Sequence, residues 1–172
     1  MYWTQSYYWY QKPKIERADL DGGNRRIAIQ LGCLGDAYPS GLALDITKNW
    51  LYWVDRYHGK LEVYEFSTNT RREIIRSGEE AFLSNPTGLA LFRDHLFWTD
   101  SSWYGIYRVD RETKGNVEKV LSTQYDPASI HAYDTSVTVS PGMNSNLIID
   151  TVRVQVMPTG PSGRRLSQIL VV

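Results

Sequence analysis

The sequence predicts an all-β fold, a partial β-propeller of about three four-stranded blades, and its internal repeats are the main reason. PSGLALD at 39–45 recurs as PTGLALF at 86–92, and LYWVD at 51–55 recurs as LFWTD at 96–100. Trp53 and Trp98 are 45 positions apart, and repeats of about 40–50 residues are typical of propellers and related arrays. Apolar and polar residues alternate within the repeats, which favours half-buried strands.

Each repeat is predicted to contain an inner, a second, a third and an outer strand, which places the blades at about 1–30, 39–77 and 86–121. The first unit begins at its second strand, MYWTQ, with no inner strand before it. Residues 127–134 follow the inner-strand pattern without a blade of their own, so we expect a closing strand there. Because propellers typically have about four to eight blades, residues 1–134 are expected to form part of a ring.

The individual strands are justified by alternation and by the turn residues between them. Leu42 and Leu44 alternate with smaller or polar residues in an inner strand, and Leu61 and Val63 do so in a third strand. DGG at 21–23 is a turn signal between the third and outer strands of the first unit. Paired arginines at 25–26 and 71–72 then precede apolar runs at matching distances, as expected for outer strands.

The net charge, the length of the apolar stretches and the cysteine count exclude several classes of protein. The chain has 172 residues and a formal net charge of zero, so electrostatic capture of nucleic acid or of an anionic membrane is not expected. No stretch approaches the roughly 20 apolar residues of a membrane span, and the N-terminus lacks the order of a signal peptide. Cys33 is the single cysteine, so we expect a loop residue rather than a disulfide, a zinc ligand or a reactive thiol.

The motifs MYWT…PKIERADLDGGNRR, PSGLALD…LYWVD and NPTGLALF…LFWTD resemble the YWTD propeller repeats of the low-density lipoprotein receptor and its related endocytic receptors. That module has six blades and is extracellular, and the order of the motifs is similar to its last three blades. The resemblance implies a fragment of a single-pass receptor of the plasma membrane and endosomes. It also implies a protein ligand, such as a lipoprotein or another secreted protein, and no cofactor, no metal and no catalysis.

Two features depart from the family pattern. Gln5 replaces the motif aspartate, whose hydrogen bonds lock adjacent strands in the family, so the first blade should be weaker by roughly 0.5–1.5 kcal/mol per lost bond. A cysteine-rich growth-factor-like module follows the propeller in the family, but residues 135–172 contain no cysteine. We therefore expect a divergent tail, whose structure and packing partner the sequence does not indicate.

Motif residues of the second strands are expected to serve the core, because blades bury aromatic side chains against their neighbours. These structural residues are Tyr2, Trp3, Tyr52, Trp53, Asp55, Phe97, Trp98 and Asp100. The first unit differs in the loop that follows. From Gln5 to Ile15 there are ten positions, whereas from Asp55 to Leu61 there are six, so the YYWY run lies in a four-residue insertion.

The loops between second and third strands share one face with the linkers that join the blades, and the resemblance implies that ligands bind there. The candidate ligand-binding residues are Tyr7, Tyr8, Trp9, Arg56, Tyr57, His58, Trp103 and Tyr104. Tyr, Trp and Arg are enriched at binding hot spots, because they join a large apolar area to a polar group. The alternative is that Trp9 and Trp103 fold back and cap the core.

His58 is a candidate pH sensor within these loops. Receptors of the resembled family release cargo in acidic endosomes, and histidine is the side chain that changes charge between about pH 5 and 8. The alternative is an ordinary surface histidine. The other two histidines are placed in the FRDH turn at the opposite face and in the closing strand.

Three further possibilities stay open. A propeller hydrolase would need convergent carboxylate or histidine ligands, but the inner strands offer Asp45 and His131 without a repeating acidic set. A nidogen-like matrix protein with the same propeller is the stronger alternative, because fold alone does not fix function. Since three blades leave two apolar inter-blade faces uncovered, two copies could also pair into a six-bladed ring.

Overall fold

The computed structural model describes residues 1–6, 12–33, 37–78, 82–112, 116–124, 126–132 and 169–170. Its strands are β1 Tyr2–Gln5, β2 Lys14–Arg17, β3 Arg26–Gln30, β4 Pro39–Asp45, β5 Trp50–Asp55, β6 Lys60–Glu65, β7 Thr70–Arg76, β8 Pro86–Phe92, β9 His95–Asp100, β10 Gly105–Asp110, β11 Glu118–Ser122 and β12 Ile169–Leu170. The described residues contain no helix, which confirms the predicted all-β class.

The strands form three antiparallel sheets of four strands each. Blade 1 has the order β12-β1-β2-β3, blade 2 the order β4-β5-β6-β7, and blade 3 the order β8-β9-β10-β11. Blades 2 and 3 share one register, since Leu42 lies opposite Trp53 and Leu89 lies opposite Trp98. Both inner strands also shift register at the same place, directly after their first proline. The sequence repeat is therefore a repeat of three-dimensional structure.

The inner position of blade 1 is occupied by the end of the tail. Tyr2 pairs with Leu170 and Trp3 pairs with Ile169, in antiparallel register. The sequence indicated no inner strand for this unit and no packing partner for the tail, so this pairing is a finding of the structure. Residues 135–168 and 171–172 lie outside the described part of the chain.

The segment expected as a closing strand is not a regular strand over residues 127–132, and residues 133–134 lie outside the described part. It nevertheless contacts β8 through the same kind of hydrogen bond that joins β4 to β8. The hydroxyl of Thr87 donates to the carbonyl oxygen of Pro127 at 2.6 Å, and the hydroxyl of Ser40 donates to that of Pro86 at 2.9 Å. Ile130 is buried against blade 3. The hydrogen bond and the buried side chain are thus formed without strand pairing.

Glycine is required where neighbouring inner strands meet. A Cβ atom on Gly41 would lie 2.4 Å from the backbone nitrogen of Leu89, and one on Gly88 would lie 2.8 Å from that of Ile130. Real Cβ atoms do not approach backbone so closely. The glycine in each PSG or PTG sequence therefore lets successive inner strands come into contact.

The core lies between the blades. Trp53 and Trp98 are fully buried, Tyr52 is fully buried beside them, and Phe97 is nearly so. One cluster joins blades 1 and 2 and includes Ile15, Ile29, Leu42, Leu51 and Trp53. Another joins blades 2 and 3 and includes Tyr52, Val54, Leu61, Val63, Leu89, Trp98 and Tyr107. Tyr2 and Trp3 are only half-buried.

A buried glutamate in the third strand of blade 2, Glu62, joins Trp53 to Arg71, and we call this group of three side chains the brace. One carboxylate oxygen of Glu62 accepts the indole N–H of Trp53 at 3.1 Å and a guanidinium N–H of Arg71 at 2.8 Å, and its other oxygen accepts a second N–H of Arg71 at 3.0 Å. The guanidinium of Arg71 lies over the Trp53 ring and also donates to the carbonyl oxygen of Leu31 in the linker from blade 1. The brace therefore ties one blade to the next.

Blade 1 repeats the brace with Glu16, Trp3 and Arg25. The carboxylate of Glu16 accepts the indole N–H of Trp3 at 3.1 Å and a guanidinium N–H of Arg25 at 2.7 Å. Burial alone would raise the pKa of Glu16, but the hydrogen bonds from Arg25 and Lys14 outweigh it, and the pKa lies below its usual value.

This lowered pKa predicts how the Glu16 brace depends on pH. A carboxyl whose pKa is lower in the folded than in the unfolded state stabilises the fold above its unfolded pKa and loses that effect as pH falls through its folded pKa. We expect the difference in free energy of unfolding between the native chain and Glu16→Gln to shrink when urea denaturation is repeated from about pH 6 down to about pH 3. A difference that stays constant over this range would contradict the prediction.

Candidate ligand-binding face

The turn between β5 and β6 is built around the carboxylate of Asp55, which is fully buried. Its Oδ1 accepts the backbone N–H groups of Tyr57 at 2.9 Å and His58 at 3.2 Å, within the turn. The same oxygen accepts the N–H of Tyr38 at 3.1 Å, in the linker that enters blade 2. One side chain thus fixes both the turn and the linker on this face.

Asp100 does the same for the turn between β9 and β10. It accepts the N–H groups of Ser102 at 2.9 Å, Trp103 at 3.1 Å and Asn85 at 2.8 Å, and Asn85 lies in the linker that enters blade 3. Burial raises the pKa of Asp100, against the backbone N–H groups, which favour its charged form. The two turns therefore present their side chains in equivalent positions.

Three of the candidate residues are exposed aromatic side chains on these turns. Tyr57 is 71% exposed, Trp103 is 51% exposed and Tyr104 is 50% exposed. They come from two neighbouring blades and stand on turns that a buried carboxylate holds in place. Tyr7, Tyr8 and Trp9 lie outside the described residues, so their part in binding stays a prediction. Their insertion is confirmed by the registers, because Gln5 pairs with Lys14 where Asp55 pairs with Lys60, which leaves four more residues between β1 and β2 than between β5 and β6.

Arg56 joins the two turns. Its guanidinium donates to the side-chain carbonyl of Asn85 and lies over the ring of Tyr38, 5.8 Å from the ring centroid. The amide of Asn85 in turn donates to the hydroxyl of Ser101 at 2.6 Å. These polar contacts therefore run across the face from blade 2 to blade 3. They fix the turn that carries Tyr57 relative to the turn that carries Trp103 and Tyr104.

His58 is held by the acid at the base of its own turn. Its Nδ1 lies 3.1 Å from Oδ2 of Asp55, and its ring packs edge-on against Tyr57 with centroids 4.9 Å apart. The His58 ring is therefore held between the base of its own turn and the ring of Tyr57.

A series of aromatic rings leads from the core of blade 3 to the face. Trp98 stacks on Tyr107 with centroids 5.8 Å apart, Tyr107 stacks on Phe82 at 4.8 Å, and Phe82 meets Trp103 edge-on at 5.7 Å. Trp103 is thus supported on one side, while half of its surface stays exposed.

Sequence reasoning missed Tyr38 and Phe82, which complete this face from the linkers. Both residues lie shortly before an inner strand that begins with proline, at Pro39 and at Pro86. The signal was available, because linkers were expected on the same face as the turns, but no linker residue was singled out. An aromatic residue one to four positions before a PSG or PTG sequence is the pattern to look for.

Asp45 and His131, the two side chains that a propeller hydrolase could have used, are not brought together with further acidic or histidine ligands in the described part of the chain. The carboxylate of Asp45 is 2.6 Å from the guanidinium of Arg111 and also accepts the N–H of Lys48, so it joins blade 2 to blade 3. His131 is exposed. Within the described ranges, no three His, Cys, Asp or Glu side chains are grouped so as to hold a metal ion. In the same ranges, no helix is long and apolar enough to cross a membrane.

Curated relatives of the chain are receptors. It is 29% identical over 133 residues to the vitellogenin receptor Yl of Drosophila melanogaster, 31% identical over 113 residues to the sortilin-related receptor of Mus musculus, and 33% identical over 121 residues to low-density lipoprotein receptor-related protein 5 of Homo sapiens. These matches cover 77%, 66% and 70% of the chain but only 6%, 5% and 7% of the relatives. No family model matches the chain.

Solved structures of the same fold are propellers. A chain of a nidogen–laminin complex matches with a TM-score of 0.57 and 25% identity, over 76% of this chain and 46% of that one. A gluconolactonase from Xanthomonas campestris matches with a TM-score of 0.55 and 16% identity, over 72% of this chain and 39% of that one, which shows the fold alone. The fold and its turns thus define a segment of a β-propeller of the YWTD type. The chain carries YWTD repeats related to those of the low-density lipoprotein receptor, as the resemblance predicted.

Proposed function

We propose that the chain is a non-catalytic, extracellular module of an endocytic receptor, and that it holds a protein ligand on the face formed by the β5–β6 and β9–β10 turns. The observation that carries the proposal is the set of exposed aromatic side chains, Tyr57, Trp103 and Tyr104, on turns fixed by buried Asp55 and Asp100. Exposed aromatic residues on a rigid support lose little conformational freedom on binding and bury a large area.

The relatives support a protein ligand of a secreted kind. One is named a receptor for vitellogenin, and the propeller neighbour was solved in a complex of nidogen with laminin. Vitellogenin and laminin are therefore reasonable first probes. A nidogen-like matrix role is the alternative, favoured by the same structural neighbour, and binding to laminin but not to vitellogenin would favour it. The gluconolactonase likeness is confined to the fold and adds no catalytic residue to this chain.

The proposal includes release of the ligand at acidic pH, with His58 as the candidate pH sensor. Because its ring is held by Asp55, a proton would place positive charge on the face without freeing the side chain. Affinity for the ligand should then fall between about pH 7 and about pH 5.5, and this fall should be smaller in His58→Gln. An equal fall in both proteins would remove His58 from the proposal.

The face itself is tested with a displayed library of random peptides, selected on the intact chain. Selected peptides should lose at least about tenfold in affinity for Tyr57→Ser and for Trp103→Ser, as expected for hot-spot residues. Ile46→Ser is the matched control, because Ile46 is 69% exposed in the β4–β5 turn on the opposite face. Failure to select any peptide, or loss of binding in Ile46→Ser alone, would contradict the proposed function.

A further inference from the structure

Residues 127–132, which we call the closing segment, make the contacts of an inner strand on one side only. The hydroxyl of Thr87 donates to the carbonyl oxygen of Pro127, and a Cβ on Gly88 would lie 2.8 Å from the backbone nitrogen of Ile130. The inner strands β4 and β8 make contacts of this kind and also pair with β5 and β9. In the described part of the chain, no strand pairs with the closing segment.

β1 has the complementary gap. Its equivalents β5 and β9 each pair with an inner strand of seven residues, whereas β12 has two residues and meets only Tyr2 and Trp3 of the four residues of β1. A strand edge with unpaired N–H and carbonyl groups is a template for pairing with another chain. The inner edge of β1 is therefore an acceptor that β12 fills only in part.

The outer side of blade 1 carries half of a contact that blade 2 completes. Trp3 and Arg25 are the equivalents of Trp53 and Arg71, which pack against blade 1 and its linker. Trp53 is fully buried and the Arg71 side chain is 29% exposed. Trp3 is only half-buried, and the Arg25 side chain is 61% exposed.

The outer side of blade 3 carries the other half. Leu121 lies opposite Ile106 in the outer strand, as Ile29 lies opposite its own third-strand isoleucine in blade 1. Ile29 is 5% exposed between blades 1 and 2, whereas Leu121 is 52% exposed. Thr123 follows β11 as Leu31, whose carbonyl oxygen accepts from Arg71, follows β3. Blade 3 thus presents what blade 1 presents to blade 2.

We propose that the closing segment of one copy pairs with β1 of a second copy in place of β12, so that blade 3 of the first copy packs against blade 1 of the second. The register of β4 with β5 places Ile130 opposite Trp3 and Pro127 opposite Gln5. Two such junctions would give six blades, within the range of about four to eight for closed propellers. This inference does not depend on the proposed ligand face.

One polar group that the junction lacks is already supplied. Between inner strands, the hydroxyl of Ser40 donates to the carbonyl oxygen of Pro86. At the junction, Ala128 takes the place of Ser40 and has no hydroxyl. The acceptor there would be the carbonyl oxygen of Pro39, and Ser6 of the same copy already donates to it at 2.8 Å. The exchange of strands therefore leaves no acceptor unsatisfied at this point.

Ser129 makes the junction weaker than the contacts within one chain. It takes the place of Gly41 and Gly88, and a Cβ on Gly41 would lie 2.4 Å from the backbone of the next inner strand. The Cβ of Ser129 therefore keeps the closing segment from approaching β4 of the second copy as closely. Glycine at position 129 should strengthen the association, because it removes this steric conflict.

Sedimentation equilibrium of the intact chain tests the proposal. We expect a monomer–dimer equilibrium, with a dissociation constant that rises at least about tenfold in Leu121→Arg, because a charge is buried at the junction. Ser129→Gly should lower the dissociation constant by about fivefold or more. Ile46→Arg is the matched control, since Ile46 is 69% exposed in the β4–β5 turn, and it should associate as the native chain does.

Disulfide cross-linking tests the pairing itself. His131→Cys is mixed with Tyr2→Cys, both with Cys33→Ser, because the register places these positions opposite each other. Paired antiparallel residues have Cα atoms about 4.5–5.5 Å apart, within reach of a disulfide. We expect a covalent two-chain product that is absent when Ile46→Cys replaces His131→Cys.

The remaining outcomes each overturn the inference. A chain that stays monomeric up to about 100 μM would show that a second copy is not the occupant of these sides. Equal dissociation constants for Leu121→Arg and Ile46→Arg, or weaker association of Ser129→Gly, would place the interface elsewhere. Equal cross-linking of the His131→Cys and Ile46→Cys mixtures, or none in either, would contradict the pairing of the closing segment with β1.

Discussion

Replacing Glu62 with alanine is expected to lower the free energy of unfolding by about 3–5 kcal/mol, the range found when one partner of a buried ion pair is removed. The carboxylate accepts hydrogen bonds from Trp53 and from two nitrogens of Arg71, and Lys60 lies 3.3 Å away. Without it, the indole N–H and two cations lose their acceptor at the boundary of blades 1 and 2. The measurement is urea denaturation followed by tryptophan fluorescence.

Glu118→Ala is the matched control for Glu62→Ala. Glu118 also receives two guanidinium N–H groups, from Arg108 at 2.9 and 2.7 Å, but the side chains of Arg108 and Glu118 are 41% and 61% exposed. Exposed ion pairs contribute at most about 1 kcal/mol, so this variant should unfold nearly as the native chain does. Equal losses for the two variants would show that burial does not distinguish the two pairs and would contradict the account of the brace.

Replacing Trp98 with alanine is expected to cost a similar amount, about 3–5 kcal/mol, because the indole is fully buried between blades 2 and 3. Its ring stacks on Tyr107 and its N–H donates to the carbonyl oxygen of Phe82, so the change leaves a cavity and an unsatisfied acceptor. Trp3→Ala should cost less, since Trp3 is only half-buried. Differential scanning calorimetry of both variants measures this order.

Trp103→Ala distinguishes a tryptophan proposed to bind ligand, Trp103, from one that packs the core of the same blade, Trp98. Trp103 is half exposed and five positions from Trp98, so its loss should change the free energy of unfolding by no more than about 1 kcal/mol. Trp103→Ala should lose ligand binding, whereas Trp98→Ala should mainly lose stability. A larger loss of stability in Trp103→Ala than in Trp98→Ala would mean that Trp103 caps the core, the alternative considered from the sequence.

Much of the fold could be predicted because the chain contains copies of one repeat that can be compared with each other. PSGLALD and PTGLALF lie at 39–45 and 86–92, and the structure has inner strands β4 and β8 over the same residues. Alternation alone is ambiguous for such short strands, but two copies in the same order with fixed spacing are not. The all-β propeller class and the family resemblance followed from this repetition and are confirmed.

The remaining features depend on contacts that repetition does not encode. The pairing of β12 with β1 involves two residues at the far end of the chain, and no local pattern distinguishes them from the rest of the tail. Arg71 reaches the carbonyl oxygen of Leu31, a backbone group that any residue would offer. By contrast, the positive φ of Tyr104, +46°, could have been predicted from Gly59, whose φ is +57°, since both residues follow the motif aspartate by four positions.

Hydrogen–deuterium exchange of the intact chain, with and without a library-selected peptide, tests most directly whether the turn-lined face holds the ligand. The account predicts slower exchange on binding in the β5–β6 turn at 56–59 and in the β9–β10 turn at 101–104, with no change in the β4–β5 turn at 46–49. Protection confined to the β4–β5 turn, or to strands away from both face turns, would contradict it.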